Sequence, residues 1–229
     1  MFDKLKISFV YLIVISPYFI IFLDNSYIIW LCREDGPVEN IGAIFFIIAS
    51  GLFISAYIYS SGIGNNLAVF HTRRNLFYLL LGIYFFICFG EEISWGQRIF
   101  NWETQKFLKE INAQGETNLH NISLFQINKI LNMTRLFSGF WLLFCVIVPF
   151  MDRVSLKTRI FFKHIGVPIT PLWIGILFLT NAAIIITIEY FADSPARLYE
   201  LKESNYAFIF AILAYNELRK NLMHLAAPN

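Results

Sequence analysis

Five windows of the chain, near residues 7 to 23, 38 to 60, 76 to 97, 135 to 151 and 171 to 191, stay apolar over the length needed to cross a lipid bilayer. A hydrocarbon core of about 30 Å takes roughly 20 residues of helix, and a chain inside it must satisfy its backbone polar groups internally. Windows of this length, repeated this often, leave one fold class open: an all-α, polytopic membrane helix bundle, forming a single transmembrane domain over residues 1–229. A sixth span is expected from Tyr199 to Leu218, where the apolar run YAFIFAILAY is short but its polar ends extend the helix to about 30 Å. Composition agrees, with 57% hydrophobic residues against 15% charged and a mean hydropathy of +0.59. A soluble domain of 229 residues has too little interior to hide that much apolar surface.

The start, MFDKLKISFVYLIVISPYFIIFLDNS, reads as an uncleaved first span, because no small-x-small cleavage site follows its apolar stretch. With the N-terminus placed inside, Lys4, Lys6, Arg73, Arg74, Arg153, Lys157, Arg159, Lys163, Arg219 and Lys220 fall in cytoplasmic segments, ten of the 18 basic residues. The same segments hold only Asp3, Asp152 and Glu217, so thirteen of the 16 acidic residues lie outside or in the outer half of the membrane. This arrangement predicts an integral protein of a bacterial inner membrane with both termini cytoplasmic. With a formal net charge of only +2, nothing suggests a polybasic arm or direct nucleic-acid binding. Cys32, Cys88 and Cys145 are too far apart to suggest a disulfide framework or a CxxC metal site.

The third window ends in FGEEISWGQRIF, residues 89 to 100, which sets Glu91 and Glu92 side by side at the close of an apolar run. If the helix continues, Glu91, Trp95 and Arg98 share one stripe and Glu92 and Gly96 the next, about 24 Å along the axis from Asn75. Two adjacent carboxylates at that depth need a cation, an arginine or protonation to offset their desolvation. The second span opens with CREDGPVEN, carrying Glu34, Asp35 and Glu39, where Pro37 and Glu39 also suit an ordinary helix start. Glu189 stands near the outer end of the fifth span, and Glu200, Glu203 and Asn205 open the sixth. Between the third and fourth spans, Phe107, Leu108 and Ile111, and then Leu124 to Leu131, give amphipathic stretches suited to the membrane interface. They flank QGETNLHN, in which Gln114, Glu116, Asn118, His120 and Asn121 suit a turning segment that dips toward the bundle.

Carboxylates from separate segments are therefore expected at one depth on the outer side. The candidate catalytic residues are Glu91, Glu92, His120, Glu116 and Arg98, with Arg98 as an anion contact. Glu39, Glu91, Glu92 and Glu203 are candidate metal ligands, and an oxygen-rich set favours a hard divalent ion, Ca²⁺, Mg²⁺ or Mn²⁺. Asp35, Gln97, Asn118, Asn121, Glu189 and Asn205 complete the expected pocket. The competing reading is a buried ion-pair network, with Arg33, Arg98 and Arg197 as counter-charges, that holds helices together without chemistry.

EEISWGQR resembles the paired glutamates followed by arginine in the CAAX-protease and bacteriocin-processing family of intramembrane glutamyl proteases, although here the arginine comes six residues after Glu92 rather than four. The resemblance implies a glutamate that activates water. EDGPVEN is similar to the acidic segment that opens the alkaline-ceramidase superfamily, without that family's zinc histidines. The order EDGPVE, GEEISWGQR, GETNLHN resembles uncharacterised bacterial multi-pass proteins.

Two functions fit. One is a membrane-embedded hydrolase or transferase acting on a lipid, lipid-linked or membrane-peptide substrate at the outer leaflet. The other is a non-enzymatic sensor or scaffold, for example in phage defence or envelope stress, whose outer acidic pocket is coupled to a cytoplasmic partner. Expected partners are membrane lipids, a cytosolic or membrane protein, and a second copy of the chain.

Overall fold

The computed structural model describes residues 4–60, 74–124, 132–191 and 198–226, apart from the side chain of Arg98. Among them the protein is helical, with no strand. Four stretches are long and apolar enough to cross a membrane: Lys4–Phe22, Pro37–Tyr59, Met133–Val154 and Leu172–Phe191. They match the first, second, fourth and fifth expected windows and make this an integral membrane protein by length and composition.

Local sequence explains where helices start and break. In the first span, α1 (Lys4–Ile15) gives way to a 3₁₀ segment, Ser16–Phe22, at Pro17, which cannot donate to the ladder. A short α2 (Asn25–Leu31) follows, capped by the Asp24 carboxylate, and α3 (Pro37–Tyr59) begins with its proline in the first turn. The third window forms α4, but only over Leu76–Glu92, about 26 Å of helix. Small helices α5 (Gln97–Phe100) and α6 (Lys106–Ile111) lead into the outer segment.

The fourth span joins α7 (Met133–Trp141) to α8 (Val148–Val154) through a π-helical turn, Leu142–Ile147. Pro149 lacks the N–H that would bond the Cys145 carbonyl, which forces the wider turn. Gly175 fits against that carbonyl, and a Cβ there would lie 2.3 Å from the oxygen. An amphipathic α9 (Leu156–Ile165) follows, then α10 (Leu172–Phe191) and α11 (Leu198–Ala226).

The polar character of α11 has a packing explanation. Its long axis runs along α3, which also carries α4, and buried residues occur on every side of it. It is lined by protein, so hydrogen bonds rather than hydropathy accommodate its polar residues. Asn205 Nδ2 donates to Asn181 Oδ1 and to the Val14 carbonyl, both at 3.0 Å, while Tyr18 Oη donates to Asn181 Oδ1 at 2.7 Å. Asn181 Nδ2 donates to the Lys202 carbonyl at 3.1 Å, which ties three segments together. Near the other end, buried Glu217 accepts from Tyr78 of α4 at 2.9 Å and pairs with Lys220.

Aromatic rings fill the core between these helices. Phe85 and Phe210 have ring centroids 4.6 Å apart, and Phe178 and Phe210 are 4.8 Å apart. Close helix approach uses small residues, as at Gly42, where a Cβ would sit 3.2 Å from Ser204 Cα. Isoleucine, leucine and phenylalanine side chains point outward along α3, α4, α7, α8 and α10, which inverts the pattern of a soluble protein.

Candidate functional site

The expected stripe of Glu91, Trp95 and Arg98 does not form. Helix α4 ends at Glu92, and Ser94, Trp95 and Gly96 have φ of 47°, 53° and 81°. Three successive left-handed residues cannot continue a right-handed helix, and two of them are not glycine. The reversal folds Trp95 back over Gly90, where a Cβ would lie 2.9 Å from the indole ring. Glycine at position 90 is thus what admits the tryptophan.

The folded-back indole meets Glu91. Trp95 Nε1 donates to Glu91 Oε1 at 2.7 Å, while Glu91 Oε2 accepts from the backbone N–H of Leu119 at 2.6 Å and of His120 at 3.0 Å. His120 Nδ1 stands 3.5 Å from the same oxygen. Glu91 therefore holds residues 119 and 120 against the end of α4, with charge-assisted hydrogen bonds as the force.

The rest of the 112–122 loop is fastened in the same way. Ser94 Oγ and Asn118 Nδ2 each donate to Glu116 Oε2 at 2.7 Å. The Thr117 N–H donates to Gln97 Oε1 at 2.8 Å, and Gln114 Nε2 donates to Glu34 Oε1 at 2.8 Å. Buried Asn112 acts as the hub: its Nδ2 donates to the Asn118 carbonyl at 2.8 Å, and its Oδ1 accepts from the Gln114 and Glu116 N–H groups. An isolated bridge between Asn112 and Ile122 closes the loop at its base.

Beneath this loop lies a cavity of about 1210 Å³. The turn before α3 contributes Glu34 and Asp35, α3 contributes Glu39, α4 contributes Glu91 and Glu92, the loop contributes Glu116, and α11 contributes Glu200 and Glu203. Arg135 and His120 are the basic side chains among the lining residues. One part of the wall is aromatic, with Phe46, Tyr84, Phe137 and Phe140 continuous with the ring-filled core. Eight carboxyl groups crowd onto low-dielectric walls, where desolvation and mutual repulsion oppose ionisation unless a cation compensates.

Of the residues expected at a site, Glu39, Glu91, Glu92, Glu203, Glu116, His120, Asp35, Asn118 and Asn121 line this cavity. Gln97 instead supports the loop from outside it, and Asn205 belongs to the Asn181 network. Glu189 is exposed near the end of α10. The Arg98 side chain, Arg197 and the second amphipathic stretch beyond Leu124 lie outside the described residues. Among the described residues no three His, Cys, Asp or Glu side chains are placed to hold a metal ion, so Glu39, Glu91, Glu92 and Glu203 share a cavity without forming a ligand cage.

Glu34 and Glu200, which are not among the expected site residues, also line the cavity, as does the aromatic wall, which was not expected. Glu200 lies one helical turn before Glu203 on the same face of α11, so the register that places Glu203 in the cavity places Glu200 there too. No local signal marks Phe137 or Phe140 as cavity residues. Cys32, buried just below the α2–α3 turn, is pushed up to about 11 by loss of solvent and by nearby Glu200, so it is an inert thiol. Comparison with protein-family models, curated proteins and solved structures finds no match to this chain.

Proposed function

We propose that the protein is a membrane-embedded binding protein whose acidic cavity receives an organic cation with an apolar portion, and that it acts as a sensor or scaffold subunit. The observation that carries this reading is the pairing, in one cavity of about 1210 Å³, of carboxylates from five segments with an aromatic wall. A cationic head suits the first and an alkyl or aromatic body suits the second, with added attraction between cation and ring faces. Glu34, Glu91 and Glu116 have hydrogen-bond partners on the loop or on Ser94, and Glu39 accepts from the Asp35 N–H in the turn before α3 while still lining the cavity. Glu39, Glu200 and Glu203, on α3 and α11, are the groups assigned to the ligand.

Coupling to the other side would run through α11. Glu200 and Glu217 are separated by about 26 Å along this helix, close to the thickness of the hydrocarbon core. One end of α11 therefore faces the cavity and the other carries the buried Tyr78–Glu217–Lys220 contact. In this reading α4 and α11 complete a six-span bundle in a bacterial inner membrane, both termini are cytoplasmic, the cavity opens outward, and a cytoplasmic partner reads the state of α11. The acidic and basic faces support that orientation.

The test is saturable binding of a decyl diamine to the full chain in nanodiscs of zwitterionic lipid. Wild type should bind it at least tenfold more tightly than a Glu39→Gln/Glu200→Gln/Glu203→Gln variant, and more weakly as salt rises. Equal binding of decanol, or unchanged binding in the variant, would overturn the proposal.

A second reading is favoured by one contact. His120 beside Glu91 at the cavity wall is the kind of pair that general acid/base hydrolysis of a lipid-linked or membrane-peptide substrate would use. Turnover of such a substrate, lost in His120→Gln with folding intact, would favour the hydrolase over the sensor.

A further inference from the structure

We propose that α9 is a preformed binding surface for anionic phospholipid headgroups in the leaflet opposite the acidic cavity. The helix lies at that opposite face: its span begins beside the cavity at Met133 and ends at Val154, immediately before α9. Ser155, in an extended conformation, turns the chain there and caps the new helix. The turn is fastened by Thr158 Oγ1, which donates to the Met151 carbonyl at 2.6 Å, and by Arg159 Nε, which donates to the Asp152 carbonyl at 3.0 Å. At the far end Gly166, with φ of 76°, closes the helix, and Asn75 Nδ2 at the start of α4 donates to its carbonyl at 2.8 Å. Both ends of α9 are thus held before any ligand arrives.

The exposed face has a specific order. At 100° per residue, Leu156 and Ile160 form a stripe, with Lys163 on one flank and Lys157 on the other. Leu156 is 67% and Ile160 60% exposed, so neither is covered by the rest of the chain. An apolar stripe bordered by lysines on both sides matches a headgroup boundary: the stripe enters the acyl region while the ammonium groups extend outward to phosphates. The end of the adjoining span also carries exposed apolar side chains, Phe150 and Val154, within a few residues of this stripe. Proximity to these side chains and the positive charge together select an anionic lipid surface over an acidic soluble protein, which would leave Leu156 and Ile160 in water.

An environment-sensitive fluorophore on Ile160→Cys, in the full chain carrying Cys88→Ser, reads the surface. Titration of the detergent-solubilised protein with dioctanoyl-phosphatidylglycerol should give a saturable blue shift that dioctanoyl-phosphatidylcholine does not. Lys157→Gln/Lys163→Gln should weaken the apparent affinity by about tenfold or more, since each lysine near an anionic surface contributes several-fold. An Arg135→Gln control, altered on the cavity side, should leave it unchanged. Equal response to both lipids, no loss in the lysine variant, or a response to polyglutamate in place of phosphatidylglycerol would each overturn the assignment.

Discussion

The indole of Trp95 donates a 2.7 Å hydrogen bond to Glu91, four residues earlier, across a backbone that has reversed its hand between them. In a continuing helix the two side chains would lie stacked along one stripe. Here the reversal frees the second Glu91 oxygen to hold the loop over the cavity. Removing the carboxylate charge should therefore release the loop. Glu91→Gln presents an amide toward donors and is expected to cost about 1.5–3 kcal/mol, or a fall in Tm of about 3–12 °C. Protease cleavage within residues 112–122 should rise in parallel, and Trp95→Phe should give a smaller change of about 1 kcal/mol. Unchanged cleavage in Glu91→Gln would show that the fastening role is wrong.

Gly175 is expected to tolerate no side chain. A methyl there would press on the Cys145 carbonyl of the π-helical turn, which is backbone held within a span and cannot swing aside. Gly175→Ala should lower stability by about 1–3 kcal/mol, read as a lower midpoint in a detergent melt. Gly51→Ala is the control, since a Cβ at that position meets nothing within 4 Å.

Asn181 should behave as a hub. Asn181→Leu removes contacts to Tyr18, Asn205 and the Lys202 carbonyl at once, for a loss of about 2 kcal/mol at the strength typical inside membranes. Adding Tyr18→Phe to that variant should cost much less than Tyr18→Phe alone, because the partner is already gone. Additive losses would mean that the two do not share one network.

Cys32 should resist alkylation. Its thiol is pushed up to about 11 from an ordinary 9.0, so near pH 8 the reactive thiolate is about a hundredfold scarcer than in the unfolded chain. The sign for stability follows. The unfolded thiol ionises first, so between pH 9 and 11 the unfolded state binds fewer protons and stability falls as pH rises. Maleimide labelling at pH 8 should be at least about a hundredfold slower in native protein than in dodecyl sulfate. Comparable rates would place Cys32 in a more open environment than the fold gives it.

The spans at Pro37–Tyr59 and Leu172–Phe191 were legible to within a residue or two, because a long apolar run has only one stable backbone in lipid. The end of α4 was not. Nothing local to ISWGQR announces that Ser94 and Trp95 adopt left-handed conformations, which are accompanied by long-range contacts, Ser94 with Glu116, Gln97 with Thr117, and Trp95 with the Glu91 that binds Leu119 and His120. Asn205 misled for a related reason: polarity near a helix end suggested a pocket, whereas Asn181 and the Val14 carbonyl claim it from other segments.

Membrane residence and helical class follow from residue types and their order, since transfer of apolar side chains depends on each stretch by itself. The convergence of Glu34 with Gln114, or of Glu91 with His120, depends on helix packing that brings together positions 80 and 29 residues apart. Whether a given carboxylate faces a cavity or fastens a loop is set by which neighbours reach it first. That is a property of three-dimensional contact, and no periodicity along the chain carries it.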